Sequence, residues 1–311
     1  MTRQIMADGA GRRHRERLIV ARTFTEKEAV TVRVIPSGEA CGAHVEGIDL
    51  SQPLAPETVA ALRAAWLQHH VLAFPGQALD ENGLERFTGY FGPFGDDPFI
   101  DPIPEHPHII AVQRRADETA PIFAEAWHTD WSFQKRPPNG TCLLGRVIPP
   151  HGGDTLFANQ HAALDAMPDE LRRRIDGVSA VHSAKLGYAP TGMYGDADAA
   201  GDRSMAIRPS AEAEATQLHP LVRRHNETGR ASLYGCLGYI IGLDGFADDE
   251  ALELLMDLHA WQTREEFVFA QRWEEGMLVM WDNRCLLHRA TGGYEGYDRL
   301  LHRTTIGAGS E

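Results

Sequence analysis

The stretch "EAWHTDWSF", residues 125–133, sets His128 and Asp130 two positions apart between tryptophans. Side chains at i and i+2 of an extended segment leave on one face, so the pair can offer an imidazole and a carboxylate to a single cation. Those are two members of a two-histidine, one-carboxylate set, the arrangement that leaves positions open on non-haem Fe(II). The same residues could serve as polar groups at the lip of an aromatic core, and an H-x-D this short also arises by chance. Far downstream, "WDNRCLLHRATGGYEGYDRLLHRTTIG" supplies His288, then Arg299 eleven residues later and Arg303 four beyond that. On one strand both arginines face the same way. Two guanidiniums turned into an interior are costly unless each meets an anion, so this spacing predicts a pocket for carboxylate-like groups.

Elements must bring these distant residues together, and the text between them is strand-like. "TVRVIPSGEACGAHVEGIDL" reads as two strands around a glycine turn, and "VLAFPGQ", "FVFAQRW", "GMLVMWDNR", "CLLHRA" and "RLLHRTTIG" as further strands. "TCLLGRVIPPHGGDTLFA", residues 141–158, reads as a hairpin around a Pro-Pro-His-Gly-Gly turn. Helical spacing marks "APETVAALRAAWLQHH", with Val59, Leu62, Ala65 and Trp66 on one side, as well as "DENGLERFTGYFG", "HAALDAMPDELRRRI" and "DDEALELLMDLHAWQT". Many short strands with glycine and proline turns, plus a few flanking helices, predict a mainly β domain over 29–311 built as a double-stranded β-helix, the cupin-like jelly roll. Residues 186–217 are rich in Gly, Ala, Asp and Pro with little periodicity, which suits a lid or a mobile insertion. Residues 1–28 form an arginine-rich tail.

The 311 residues carry 30 Lys and Arg against 44 Asp and Glu, a net charge of -14. That field repels phosphate and argues against nucleic acid or an anionic membrane surface as partner, so an acidic substrate must be held by local cations. No apolar run is long enough to span a bilayer and no cleavable leader is visible, which predicts a cytoplasmic protein. Cys41, Cys142, Cys236 and Cys285 lack any paired spacing and read as reduced, buried thiols. Trp127 and Trp281 are expected in the core, and the pairs His69 with His70 and His106 with His108 read as structural.

Taken together, "WHTD", "GGDT", "WDNR", His288 and the Arg299–Arg303 spacing resemble the taurine dioxygenase and 2,4-dichlorophenoxyacetate dioxygenase family of Fe(II)/2-oxoglutarate oxygenases, over about residues 31–307. "WDNRCLLHRA" and "AWLQHHVLAFPGQ" are most similar to its aryloxyalkanoate-cleaving branch. The resemblance implies that His128, Asp130 and His288 bind Fe(II), that Arg299 and Thr155 of "GGDT" hold 2-oxoglutarate, and that Arg303 anchors the anionic group of the substrate. It implies oxidative decarboxylation of 2-oxoglutarate to succinate and CO2 with O2 as oxidant, coupled to hydroxylation, and in some cases cleavage, of a small organic acid. Where taurine dioxygenases carry a histidine that meets the sulfonate, "FGPFGDDPF" places Asp97, which disfavours taurine itself. Tyr234 is expected in the pocket wall. Family members are often dimers or tetramers, so a homo-oligomer is expected. Taurine or alkylsulfonate oxidation, zinc-dependent hydrolysis with the same ligands, and a barrel without turnover are the rival readings.

Overall fold

The computed structural model describes residues 17–18, 32–199 and 201–309. The arginine-rich tail lies outside the described residues except for Arg17–Leu18, which pairs with Arg33 and Val34. The protein is mainly β, with helices on its flanks.

An eight-stranded sheet runs in the order Arg17–Leu18, Arg33–Pro36, Ala43–Glu46, Val71–Phe74, Leu278–Asp282, Gly140–Val147, Arg299–Ile306, Ile110–Arg114. Its pairs are antiparallel apart from Ala43–Glu46 with Val71–Phe74. A three-stranded sheet of Val268–Gln271, Thr155–Asn159 and Leu286–Ala290 faces it. Phe157, Phe269 and Leu286 of the small sheet pack against Val71, Leu143, Val279, Trp281 and Leu301 of the large one, all buried. Each such side chain contributes about 2–3 kcal/mol by leaving water, so this shared layer fixes how the two sheets register.

The expected glycine-turn strand pair and the first two helices form as read. Pro56–His69 carries proline in its first turn and buries Leu62, Ala65 and Trp66. Glu81–Gly89 is capped by Asp80, whose carboxylate accepts the Gly83 N–H at 2.7 Å, a bond worth about 1 kcal/mol. Both helices pack on the outer face of the large sheet through Leu62, Trp66, Leu84 and Phe87.

Two expectations change. The helix expected over 161–175 is two, Gln160–Asp165 and Asp169–Ile175, because Pro168 has no N–H to continue the ladder and disfavours a helical residue before it. The hairpin expected over 141–158 is a crossover instead. Gly140–Val147 has both edges occupied, by Leu278–Asp282 and Arg299–Ile306, whereas Thr155–Asn159 belongs to the facing sheet. The Pro-Pro-His-Gly-Gly turn thus carries the chain from one sheet to the other. Among the described residues no helix is long and apolar enough to cross a membrane.

Candidate active site

His128 and His288 are locked by their backbones before their side chains meet. The His128 N–H donates to the His288 carbonyl at 2.9 Å and the His288 N–H returns to the His128 carbonyl at 2.7 Å, a single bridge between segments far apart in sequence. Asp130 stands just before a sharp turn at Trp131, at φ 48°. Asp130 Oδ1 lies 3.8 Å from His128 Nε2 and 3.7 Å from His288 Nε2, and the three ligand atoms fall within 4.8 Å of one another. Those separations exceed a hydrogen bond but approach the roughly 3.0 Å expected between neighbouring ligands of an ion bound at about 2.1 Å. His128 Nδ1 donates to the Ala126 carbonyl at 2.9 Å, leaving the Nε2 lone pair for a cation.

Asp130 is held by a relay that the "WDN" phrase supplies. Trp281 Nε1 donates to Asn283 Oδ1 at 2.9 Å, Asn283 Nδ2 to Thr141 Oγ1 at 2.9 Å, and Thr141 Oγ1 to Asp130 Oδ2 at 2.5 Å. One carboxylate oxygen is thereby fixed and the other left facing the imidazoles. Burial alone would push the Asp130 carboxyl up, but His288, Arg303, His128 and the Thr141 hydroxyl outweigh it and bring it down to about 2. Burial, with His128 beside it, lowers His288 to about 3, and burial likewise lowers His128. At neutral pH the trio presents two neutral imidazoles and a carboxylate, the state that binds a divalent ion.

Arg299 sits beside this trio on the Arg299–Ile306 strand, 6% exposed. Its Nη2 donates to the Gly153 carbonyl at 3.0 Å, its carbon lies 5.7 Å from the Tyr294 ring, and its Nε has no partner among the described residues. Burial disfavours its charged form, the mark of a buried cation short of an anion. Arg299, Thr155 and His288 line one cavity of about 50 Å³, and the Thr155 hydroxyl accepts from Trp273 Nε1 at 3.0 Å. Two glycine pairs make the approach possible. Gly152 and Gly153 both have φ 70°, a Cβ on Gly152 would meet the Gly293 carbonyl oxygen at 2.4 Å, and one on Gly153 would meet Arg299 Nε at 3.0 Å.

Arg303 is buried too, but it is already paired. Its Nη2 bonds Asp97 Oδ1, which also accepts from Trp131 Nε1 at 2.8 Å, and its Nη1 lies 3.6 Å from Asp130 Oδ1. Asp97 thus points inward and supplies the anion that Arg303 was expected to find on a substrate. Next to the trio opens a chamber of about 400 Å³ lined by Phe123, Trp127, Tyr188, Tyr194, Tyr239, Leu186, Met193, Arg289 and Arg303. Tyr234, expected in its wall, instead packs against His182, His219 and Arg223 and is not part of the chamber lining. Tyr239 stands against His128 in its place. Trp127, expected in the core, lines the chamber. Leu186, Tyr188, Met193 and Tyr194 come from the 186–217 segment, which carries the short helices Lys185–Tyr188 and Asp196–Ala199. Arg289 was missed: alternation along the Leu286–Ala290 strand turns it away from His288, so its place directly after that residue is no signal that it lines the chamber.

The chain matches the family described as "Taurine catabolism dioxygenase TauD, TfdA family" over residues 33–305. It is 35% identical over 281 residues to a (S)-phenoxypropionate/alpha-ketoglutarate-dioxygenase of Delftia acidovorans, covering 84% of this chain and 89% of that one. It is 31% identical over 285 residues to an alpha-ketoglutarate-dependent sulfate ester dioxygenase of Pseudomonas putida, covering 91% of each. Among solved structures, a taurine dioxygenase from Burkholderia xenovorans superposes with a TM-score of 0.73 at 30% identity over 89% of both chains. The chain therefore belongs to the TauD/TfdA family and is a 2-oxoglutarate-dependent non-haem iron dioxygenase, using Fe(II), 2-oxoglutarate and O2.

Proposed function

We propose that the protein hydroxylates a small aromatic acid of the aryloxyalkanoate kind, bound in the chamber beside His128, Asp130 and His288. The observation that carries this reading is the chamber itself, an aromatic wall of Phe123, Trp127, Tyr188, Tyr194 and Tyr239 adjoining the trio and ending at a cation. Its volume of about 400 Å³ is in the range of small-molecule sites, and stacked or edge-on rings favour an aryl group over a short alkylsulfonate. Because Arg303 is paired with Asp97 and Asp130, the substrate's anionic group goes to Arg289. The Arg289 Nε is buried without a hydrogen-bond partner among the described residues, and its guanidinium stands 6.0 Å from the Trp127 ring.

His128, Asp130 and His288 would hold a divalent ion through two neutral nitrogens and a carboxylate oxygen, with His128 positioned by Ala126 and Asp130 by Thr141, beside the chamber. Arg299 fits the distal carboxylate of 2-oxoglutarate through a forked pair that satisfies its Nε, and the Thr155 hydroxyl supports that grip. Fe(II) bound there supplies the activation of O2 that couples decarboxylation of 2-oxoglutarate to hydroxylation. The chain's own residues orient and shield. Arg303 holds Asp130 Oδ1 against drift, the aromatic wall fixes the substrate carbon near the trio, and the 186–217 segment acts as a cover that keeps water out. The facing sheets then are the two halves of a double-stranded β-helix. Family membership sets aside the hydrolytic and non-catalytic alternatives.

The test is an anaerobic assembly with Fe(II) and 2-oxoglutarate followed by a screen for substrate-triggered succinate release. Aryloxyalkanoates should outperform alkyl sulfates and taurine, and Arg289→Gln should raise KM for the acid roughly 10- to 100-fold with kcat little changed. Preference for taurine, or an Arg289→Gln enzyme with unaltered KM, would overturn the assignment.

A further inference from the structure

At the Asp282 end of the Leu278–Asp282 strand lies a second group of ligating side chains. Trp281 faces His288, with ring centroids 4.8 Å apart, so Asp282 leaves the opposite face. Just beyond Asp282, His70, His161 and Cys285, all buried, each bring a ligand atom to within 4.8 Å of the other two. Three observations mark this group as more than polar filling. The His70 Nδ1 and His161 Nε2 atoms are both buried with no hydrogen-bond partner among the described residues, a costly state for a group that could have been apolar. His161 Nδ1 donates to the Ala231 carbonyl at 2.7 Å, which sets the tautomer and leaves the Nε2 lone pair directed inward, the arrangement of a metal-bound imidazole. His70 ends the Pro56–His69 helix with φ 65°, at a place where glycine is usual.

We propose that His70, His161 and Cys285 form a second cation site that takes zinc(II), separate from the catalytic trio. Two imidazoles and one thiolate suit a borderline-soft d10 ion, and three protein ligands leave the fourth tetrahedral position for water. The surroundings supply what such an ion needs. Asp282 adjoins Cys285 and is itself held by His225 Nε2 at 2.9 Å and by Arg284, so a carboxylate stands next to the cation. His70 also lines a surface cavity of about 750 Å³ with Gln68, Asn159 and Arg230, which gives an entry path. Binding releases the thiol proton of Cys285 to solvent and forms the sulfur–metal bond, with no change of oxidation state.

Cobalt(II) distinguishes the two sites, because only a thiolate ligand gives a near-ultraviolet sulfur-to-cobalt charge-transfer band. Chelator-stripped full-length protein titrated anaerobically should bind two equivalents of cobalt, one of them with that band, and zinc should bleach it. Cys285→Ser and, independently, His161→Gln should each lose one equivalent and the band. His128→Ala should keep the band while losing the other equivalent, and Cys142→Ser, in the outer core, should keep both. If the substituted chains fail to fold by circular dichroism, the stoichiometry and band of the unaltered protein still decide. One equivalent without a charge-transfer band, or a band that survives Cys285→Ser in a folded chain, overturns the proposal.

Discussion

Replacing Arg299 with methionine separates a cation kept for a ligand from one kept for the fold. Among the described residues the guanidinium makes one hydrogen bond, to the Gly153 carbonyl, and its Nε is left over in a cavity of about 50 Å³. Removing a buried charge that has no anion costs the fold little, and an apolar side chain of similar volume at such places is often neutral or stabilising by about 1–4 kcal/mol. The ligand pays a different bill. A forked pair to a carboxylate comprises two charge-assisted bonds of about 1.5–3 kcal/mol each, so about 3–6 kcal/mol of 2-oxoglutarate affinity should go, or roughly 100- to 20,000-fold. The assay is anaerobic titration of the iron-loaded protein with 2-oxoglutarate, read from the visible charge-transfer band of the chelate, beside chemical denaturation without ligand. A shift under tenfold in the titration midpoint, or a loss of 3 kcal/mol or more in ligand-free stability, would show that Arg299 serves the fold.

Thr141→Val keeps the shape of the strand but removes the hydroxyl on Asp130 Oδ2, and iron affinity should fall about 10- to 100-fold in a competition titration with the fold unchanged by circular dichroism. Gly153→Ala puts a Cβ at φ 70° and 3.0 Å from Arg299 Nε. It should cost about 1–2 kcal/mol in denaturant unfolding and weaken 2-oxoglutarate about tenfold by displacing the guanidinium. The acid limb of stability should steepen below pH 6.5, because burial lowers His70, His182 and His288 to about 3 in the folded chain. As pH falls through 6.5 the unfolded chain takes up these protons first, so each histidine removes up to about 1.4 kcal/mol per pH unit until its folded value is reached, and none acts above pH 7. His182→Gln should flatten the pH 6.5–4 slope of metal-free unfolding by about one proton, and an unchanged slope would refute its buried neutrality.

His128 and Asp130 were legible as a pair because their spacing is local and strict, whereas His288, far downstream, was assigned to them only through the family resemblance. H-x-D puts two donors on one face wherever the chain is extended, and the Arg299–Arg303 interval needs only a straight strand, which Arg299–Ile306 is. What could not be read was which partner each charge would take. Arg303 looked free until Asp97 was seen to reach it, an ion pair spanning 206 positions that no local pattern encodes. The crossover at 148–154 read as a hairpin because turn chemistry is the same whether a chain folds back or changes sheet. The decision lay with the Leu278–Asp282 and Arg299–Ile306 strands, which took both edges of Gly140–Val147. Tyr234 and Tyr239 stand five apart in one loop-rich stretch, and only packing on His128 separates the wall residue from its neighbour.

Charge gives the site its logic once these pairings are known. Arg303 pairs with Asp97 and Asp130 while Arg299 stands apart without an anion, so the buried group of two arginines and two aspartates sums to zero before anything binds. A divalent ion alone would leave it doubly positive, and a dianionic keto acid alone doubly negative, in an interior where uncompensated charge is expensive. Both together restore neutrality, so each ligand must raise the affinity of the other by the same factor. In the proposed reading an anionic substrate arriving third finds Arg303 already paired, and Arg289 is the cation that remains among the described residues of the chamber wall. On that reading the ion pair of Arg303 with Asp97 sets the anion-recognising end of the chamber at Arg289, and with it the length of acid that would place a carbon beside His128.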